Sequence, residues 1–171
     1  MSHAPSVRRL ARHEWREYRD LRLRALADSP DAFPTTLAQA QARDDTDWSR
    51  QVASGAESSS EHALVAESDS QLVGLAWSGI DGSDKDRAWL TQMWVDPGFR
   101  GFGTGGPLLG AAIRWATGVN AHFMVLSVTC GDTPASRLYA RAGFEPVGQP
   151  EPLRPGSHLL AQPMRLDLRA A

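Results

Sequence analysis

The stretch Gln92–Ala116, QMWVDPGFRGFGTGGPLLGAAIRWA, decides how the rest of the chain is read. Gln92 to Val95 reads as a strand, Asp96-Pro97-Gly98 as a turn, and Arg100 to Gly106 as a glycine-rich loop. Leu108, Leu109, Ala112, Ile113 and Ala116 then recur at the spacing of one buried helical face. Glycines directly before a helix let a ligand approach the backbone closely. The unpaired N–H groups of the first helical turn, helped by the helix dipole, favour an anion there. These residues by themselves specify a phosphate-like ligand.

The chain around this stretch has 171 residues, which suits a single domain with a core of its own, residues 1–6 being a candidate disordered end. No apolar run approaches the roughly 20 residues of a membrane span. The start, MSHAPSVRR, lacks the apolar stretch of a secretory signal, and the lone Cys130 cannot form an internal disulfide. A cytoplasmic protein is therefore expected. A formal charge of −2 gives no reason to expect nucleic acid as a partner.

Upstream of the loop, Val7–Leu10 is a candidate first strand and His13–Ala27 a helix with Trp15, Tyr18, Leu21 and Ala25 on one side. Its arginines Arg16, Arg19, Arg22 and Arg24 are expected to form a solvated face, a site for an anionic partner being the sharper alternative. Ser29-Pro30-Asp31 breaks that helix. The run 32–53 is helical or partly irregular, anchored in the core by Trp48 and Val52, and 55–61 (GAESSSE) is a polar loop. A meander follows: strands at His62–Glu67, Leu72–Ile80 and Ala88–Val95, with turns at 68–70 and 81–86. Downstream, Phe123–Thr129 is nearly all apolar or β-branched, as a strand buried on both faces would be. Pro134 opens a helix in which Ala135, Leu138, Tyr139 and Ala142 share a face, and Gly143 ends it. Phe144–Val147 is a short strand, 149–157 a proline-rich loop, and Leu159–Leu168 a last strand in which Pro163 favours an edge or a bulge.

Gly101, Gly103 and Gly106 satisfy the G-x-G-x-x-G dinucleotide fingerprint, but that motif also needs an acidic residue roughly 20 positions on to hold a ribose. Pro97 to Gly131 contains no Asp or Glu, and a P-loop lysine is missing too. A second pattern fits better. Arg100-Gly101-Phe102-Gly103-Thr104-Gly105 resembles the R-x-x-G-x-G/A acetyl-CoA signature of the GNAT N-acetyltransferase superfamily. Leu90–Pro97 resembles that family's fourth strand and following turn, Phe123–Thr129 its fifth strand, and Asp132–Phe144 its N-x-x-A-x-x-L-Y-x-x-x-G-F segment.

The resemblance implies a mixed α/β fold: one domain whose central, mostly antiparallel sheet of about seven strands carries helices on both faces. It implies acetyl-CoA as co-substrate and no metal. Met93, Trp94 and Val95 would lie along the pantetheine arm, and Arg100, Gly101, Phe102, Gly103, Thr104, Gly105 and Gly106 would hold the pyrophosphate. Asp132, Ser136 and Tyr139 complete the implied coenzyme contacts. Two positions depart from the pattern: Pro107 removes an amide from the first helical turn, and Asp132 stands where the family has Asn and cannot donate a hydrogen bond when ionised.

By the same resemblance, Tyr139 is the proton donor to the coenzyme sulfur and the amide near Val95 is the oxyanion donor, while periodicity alone would make Tyr139 an ordinary core tyrosine. No general base is visible. Gln92 could only position a water, and Glu67, Asp81 and Glu151 read first as surface charges. His62, His122 and His158 have no metal-ligand spacing. Cys130 is expected to be small and buried. Trp48, Trp77 and Trp94 are core residues by default and pocket-lining residues as the alternative. The acceptor would be held by 31–43 and 149–158, with Arg154 a solvated loop arginine or a partner for an acceptor carboxylate. The expected activity is acetyl transfer from acetyl-CoA to a primary amine in a ternary complex. The acceptor is expected to be a small molecule, with no nucleic acid or membrane involved, and a homodimer is compatible with this. A protein N-acetyltransferase and a non-catalytic acyl-CoA sensor are the competing readings.

Overall fold

A computed structural model of the chain describes residues 4–170. Of the terminal segment 1–6, residues 1–3 lie outside the described residues, and Ser6 already opens β1 (Ser6–Arg9). The other strands are β2 (Glu61–Ser68), β3 (Gln71–Ile80), β4 (Arg87–Val95), β5 (Phe123–Thr129), β6 (Glu145–Pro146), β7 (Glu151–Pro152) and β8 (Leu160–Asp167). They form one mixed sheet in the order β1-β2-β3-β4-β5-β8-β6, with β7 beside β8. Every pairing is antiparallel except β4 with β5. The helices are α1 (Trp15–Asp28), α2 (Leu37–Gln41), α3 (Asp45–Glu57), α4 (Gly105–Gly118) and α5 (Pro134–Arg141).

Local chemistry starts and stops these elements where the sequence indicates. Asp69 and Ser70, both at positive φ, make the two-residue turn that matches the twist of the β2–β3 hairpin. Asp44 caps α3 by accepting from Asp47 N at 2.8 Å. Thr133 and Ser136 form a reciprocal capping box at the start of α5, one residue before Pro134 at its first turn.

The sheet separates two cores. On one face α4 and α5 bury Leu64, Leu90, Leu108, Leu109, Met124, Leu126 and Tyr139. On the other, α1 and α3 bury Tyr18, Leu21, Phe33, Trp48, Val52, Trp77 and Trp94. Trp48, Trp77 and Trp94 are thus core residues, and Tyr18 packs against the rings of Trp48 and Trp77.

Four expectations are corrected. Residues 55–57 belong to α3 rather than to a loop: a Cβ on Gly55 would lie 2.5 Å from the Trp77 ring, so the glycine is there to admit that ring. Arg22 does not join Arg16, Arg19 and Arg24 outside. It is 6% exposed, because it falls one turn from both Tyr18 and Leu26, inside the apolar stripe of α1. Strand β5 is not buried on both faces: Met124 and Leu126 are buried, but Ser127 is exposed and Val125 half-buried, because their face opens on a cavity. Cys130 is exposed, one residue beyond the end of β5.

Pro163 lies opposite Ser127 inside the sheet. Its carbonyl accepts from Val147 N on the side away from β5, and the reciprocal bond that a proline cannot donate is replaced by Gln162 Nε2, which donates to Val147 O at 3.4 Å. Gly79 is the tightest position of the meander: an added Cβ would lie 2.1 Å from the ring of its cross-strand neighbour Trp89. Gly79→Ala should therefore cost about 1–3 kcal/mol in urea denaturation. Gly82→Ala, where a Cβ meets nothing within 4 Å, should stay within about 0.5 kcal/mol.

Candidate functional site

Strands β4 and β5 pair over only three rungs, Arg87 with Phe123, Ala88 with Met124 and Trp89 with Val125. Beyond Trp89 they part. The wedge between them holds a cavity of about 620 Å³, lined by Trp89, Leu90 and Thr91 on one side and Val125, Leu126 and Ser127 on the other. Val147, Gly148, Gln149 and Glu151 close one end, and Pro163 and Met164 of β8 contribute to its wall.

The divergence coincides with a β-bulge. Leu75 faces Trp94 and Trp77 faces Thr91, so Ala76 alone opposes both Gln92 and Met93. Gln92 takes the strain, with φ at 60°. Its side chain accepts a hydrogen bond from the Tyr18 hydroxyl, which burial pushes up to about 12. Past the bulge the peptide directions alternate. Asp96 N donates to Val73 O of β3, so the preceding amide, that of Val95, faces the wedge.

The glycine loop stands at the mouth of this wedge. Gly101 and Gly103 adopt φ of 81° and 75°, a region L side chains avoid, and a Cβ on either would point into open space. Among the described residues, the backbone N–H groups from Gly101 to Gly106 donate to no acceptor in the protein. A Cβ on Gly105 would lie 3.3 Å from Leu138 and 3.8 Å from Met93, so this glycine brings the start of α4 against both α5 and β4. The start of α4, β4 at Met93 and α5 at Leu138 therefore meet at Gly105, and Tyr139 is the next residue of α5.

Several expected contacts go elsewhere. Trp94 turns into the α1–α3 core, its indole donating to Asp28 at 3.0 Å. Arg100 donates through Nε to Val95 O at 2.8 Å and pairs through Nη2 with Asp28. Hydrogen bonds from Ser29, Trp94 and Arg100 hold the Asp28 carboxyl down at about 2. The Thr104 hydroxyl donates to Phe99 O and is buried, so it ties the loop together. Ser136 serves the α5 cap, and Asp132 is exposed and paired with Arg137 at 2.7 Å. Phe102 is 69% exposed at the loop tip.

Tyr139 is buried edge-on against Phe144, and among the described residues its hydroxyl has no hydrogen-bond partner. Burial raises its pKa, so the phenol remains protonated. Of the three carboxylates considered as bases, Glu67 is paired with Arg8 and Asp81 with Arg87, while Glu151 borders the cavity. His62 stacks on Trp115, and burial pushes it down to about 4. His122 lies against Asp86, and His158 is exposed, so the three histidines are not brought together.

The two segments expected to hold an acceptor do converge. Arg154 donates to the carbonyls of Pro30 and Phe33 at 2.7 Å each and of Pro34 at 3.2 Å, which makes it a strap rather than a solvated side chain. Thr129, at the end of β5, donates to Asp31 O at 2.6 Å. The loop after α1 is thus fixed to both the 153–159 loop and the rim of the wedge.

A splayed parallel pair beside a glycine loop with free amides is an arrangement for an extended ligand with an anionic end. A family model described as the acetyltransferase (GNAT) family matches residues 8–144. The chain belongs to that family. Similar GNAT structures include an acetyltransferase from Streptococcus pneumoniae (TM-score 0.82, 18% identity, 95% of this chain and 98% of that one). YncA from Salmonella typhimurium, solved with its cofactor acetyl-CoA, is alike to the same degree (TM-score 0.81, 18% identity, 99% and 96%). These show the fold. A mycothiol acetyltransferase from Acidothermus cellulolyticus is 28% identical over 141 residues, covering 75% of this chain and 40% of its own length. The chain spans about two fifths of the length of the curated relatives it matches.

Arg100 gives this GNAT site its first test. Arg100→Ala removes the ties to Val95 O and Asp28 without touching the loop amides. Acetyl-CoA affinity measured by calorimetry should fall roughly 10-fold, with the melting temperature of the free protein shifted by only a few degrees.

Proposed function

We propose that this chain transfers the acetyl group of acetyl-CoA to the primary amine of a small molecule by direct attack in a ternary complex. The observation that carries this reading is the conjunction at one slot: unbonded edges of β4 and β5, free amides from Gly101 to Gly106, and the Tyr139 hydroxyl. The residues fit the coenzyme. Open space over Gly101, Gly103 and Gly106 lets a pyrophosphate approach the backbone, and the amides and helix dipole neutralise it without metal or lysine.

Acetyl-CoA, when bound, supplies a thioester whose C–S bond breaks as the amine's C–N bond forms, the nitrogen losing a proton and the sulfur gaining one. The Val95 amide, fixed by the β3 pairing on either side of it, is the donor for the negative charge on the carbonyl oxygen. Tyr139 stays protonated because it is buried, so it donates its hydrogen to the departing sulfur. Glu151, bordering the cavity, draws a cationic amine inward and receives its proton directly or through water.

A small acceptor is favoured because the rim is strapped. Arg154 and Thr129 tie the loop after α1 to the 153–159 loop and to the end of β5, a braced surround that suits a small acceptor better than a polypeptide. The curated relatives are also named for a small-molecule acceptor.

Saturating acetyl-CoA should raise the melting temperature, as any ligand of the native state does. Free thiol should appear when an amine is supplied. Tyr139→Phe should lower kcat by roughly 10²-fold with acetyl-CoA affinity unchanged, measured by single-turnover thiol release. No stabilisation would remove the coenzyme assignment. Stabilisation without thiol release across a broad amine panel would make the chain a sensor.

A further inference from the structure

Arg22 is a buried cation without a counter-ion. Its residue is 6% exposed, its Nη1 is sealed from solvent, and among the described residues none of its nitrogens donates to a protein acceptor or pairs with a carboxylate. A folded chain rarely buries a guanidinium in this way, because desolvation penalises the charge and nothing in the protein returns the lost hydrogen bonds. The neighbours deepen the anomaly. The guanidinium lies 4.6 Å over the Phe33 ring, and Arg43 adds a second positive charge nearby, although its own donors are taken by Gln51 at 2.6 Å and Asp47 O at 3.2 Å.

The position of Arg22 explains what it serves. It sits one helical turn after Tyr18, whose hydroxyl bonds to Gln92 at the β4 bulge, and six residues before Asp28, which bonds to Trp94. The side chain therefore lies alongside β4 at the level where that strand leaves β5. Phe33 above it belongs to the loop that Arg154 and Thr129 hold over the rim of the wedge. Tyr18, Phe33 and Arg22 thus lie where α1 faces β4 and the strapped loop, and among the described residues the Arg22 guanidinium has no compensating charge.

We infer that Arg22 recognises a carboxylate on the acceptor, so that the substrates are amines carrying an acid group, such as amino acids. This rests on the acetyltransferase reading above. A carboxylate matches a single planar guanidinium in charge and shape, and the pair would restore the hydrogen bonds that Arg22 lacks. A dianionic phosphate would bring twice the charge to a place where Arg43 is already engaged. Glu151, which borders the cavity between β4 and β5, is a complementary charge for the ammonium end.

The test compares amino acids with their carboxamides, which lack the carboxylate Arg22 would hold, with KM expressed per neutral amine because the amide also lowers the amine's basicity. With the wild-type chain, KM for the acid should be roughly 10- to 100-fold below that for the amide. Arg22→Gln should abolish that difference, leave acetyl-CoA affinity unchanged and leave the melting temperature of the free protein equal or higher. Arg22→Lys should keep part of the preference. Calorimetric titration of the same amino acids into coenzyme-A-saturated protein gives a readout independent of turnover, in which acids bind and amides do not. Equal use of acid and amide by the wild type, or a preference that survives Arg22→Gln, overturns the inference while leaving acetyl transfer standing. A lowered melting temperature in Arg22→Gln with the acid preference intact makes Arg22 purely structural. If acetyl-CoA itself neither binds nor releases thiol, it is the underlying reading that fails.

Discussion

A parallel strand pair that stops hydrogen-bonding in mid-sheet leaves N–H and C=O groups with nothing to bond. A folded chain tolerates this only where solvent, a ligand or another segment can satisfy them. Here the pairing of β4 with β5 ends at Trp89 and Val125, and each feature of the site follows from that ending. The bulge at Gln92 and Met93 turns the strand away from β5 while keeping its bonds to β3. Because β3 still holds one side of β4, the Val95 amide is fixed in direction although nothing on the β5 side receives it. The helix that follows then starts at the wide end of the wedge, where its free amides face the same space.

Much of this was legible because it is local. Glycines before an apolar helix, the turn at Asp96-Pro97-Gly98 and the proline-opened α5 are short-range signals, and the loop, α4 and α5 form where those signals stand. What was not legible depends on neighbours far away in the chain. Gly55 read as loop because nothing nearby announces that Trp77, on another strand, needs the space of its missing side chain. Strand β5 read as doubly buried because its apolar composition does not report that β4 leaves it halfway along. Arg154 read as a surface charge because its three carbonyl partners lie some 120 residues earlier. Arg22 did have a signal. Its place between Tyr18 and Leu26 on the helix lies within the apolar stripe, but a repeated run of arginines hid it.

The side chains nearest the anion cradle show how the protein divides its charges. Arg100 is the basic residue that opens the loop, yet Asp28 and the Val95 carbonyl hold its guanidinium, and Arg137 is likewise paired with Asp132. Both arginines are therefore largely neutralised and act as braces. The cradle is left to backbone dipoles, which are fixed in direction and need no side-chain ordering when an anion arrives. Under the proposed function, this is a suitable way to hold a pyrophosphate.

Arg22 represents the opposite solution. It keeps a full positive charge in a place with little water, over the Phe33 ring, where a charge interacts far more strongly than at the surface. Such a residue destabilises the empty protein and is tolerated because the fold around it, Tyr18 bonded to Gln92 on one side and Phe33 strapped by Arg154 on the other, is overdetermined by contacts that do not involve it. The two ends of the site thus differ in kind. One offers neutral backbone amides, built from glycine. The other offers a single side chain, the sort of position at which one substitution can change a binding preference without disturbing the glycine loop.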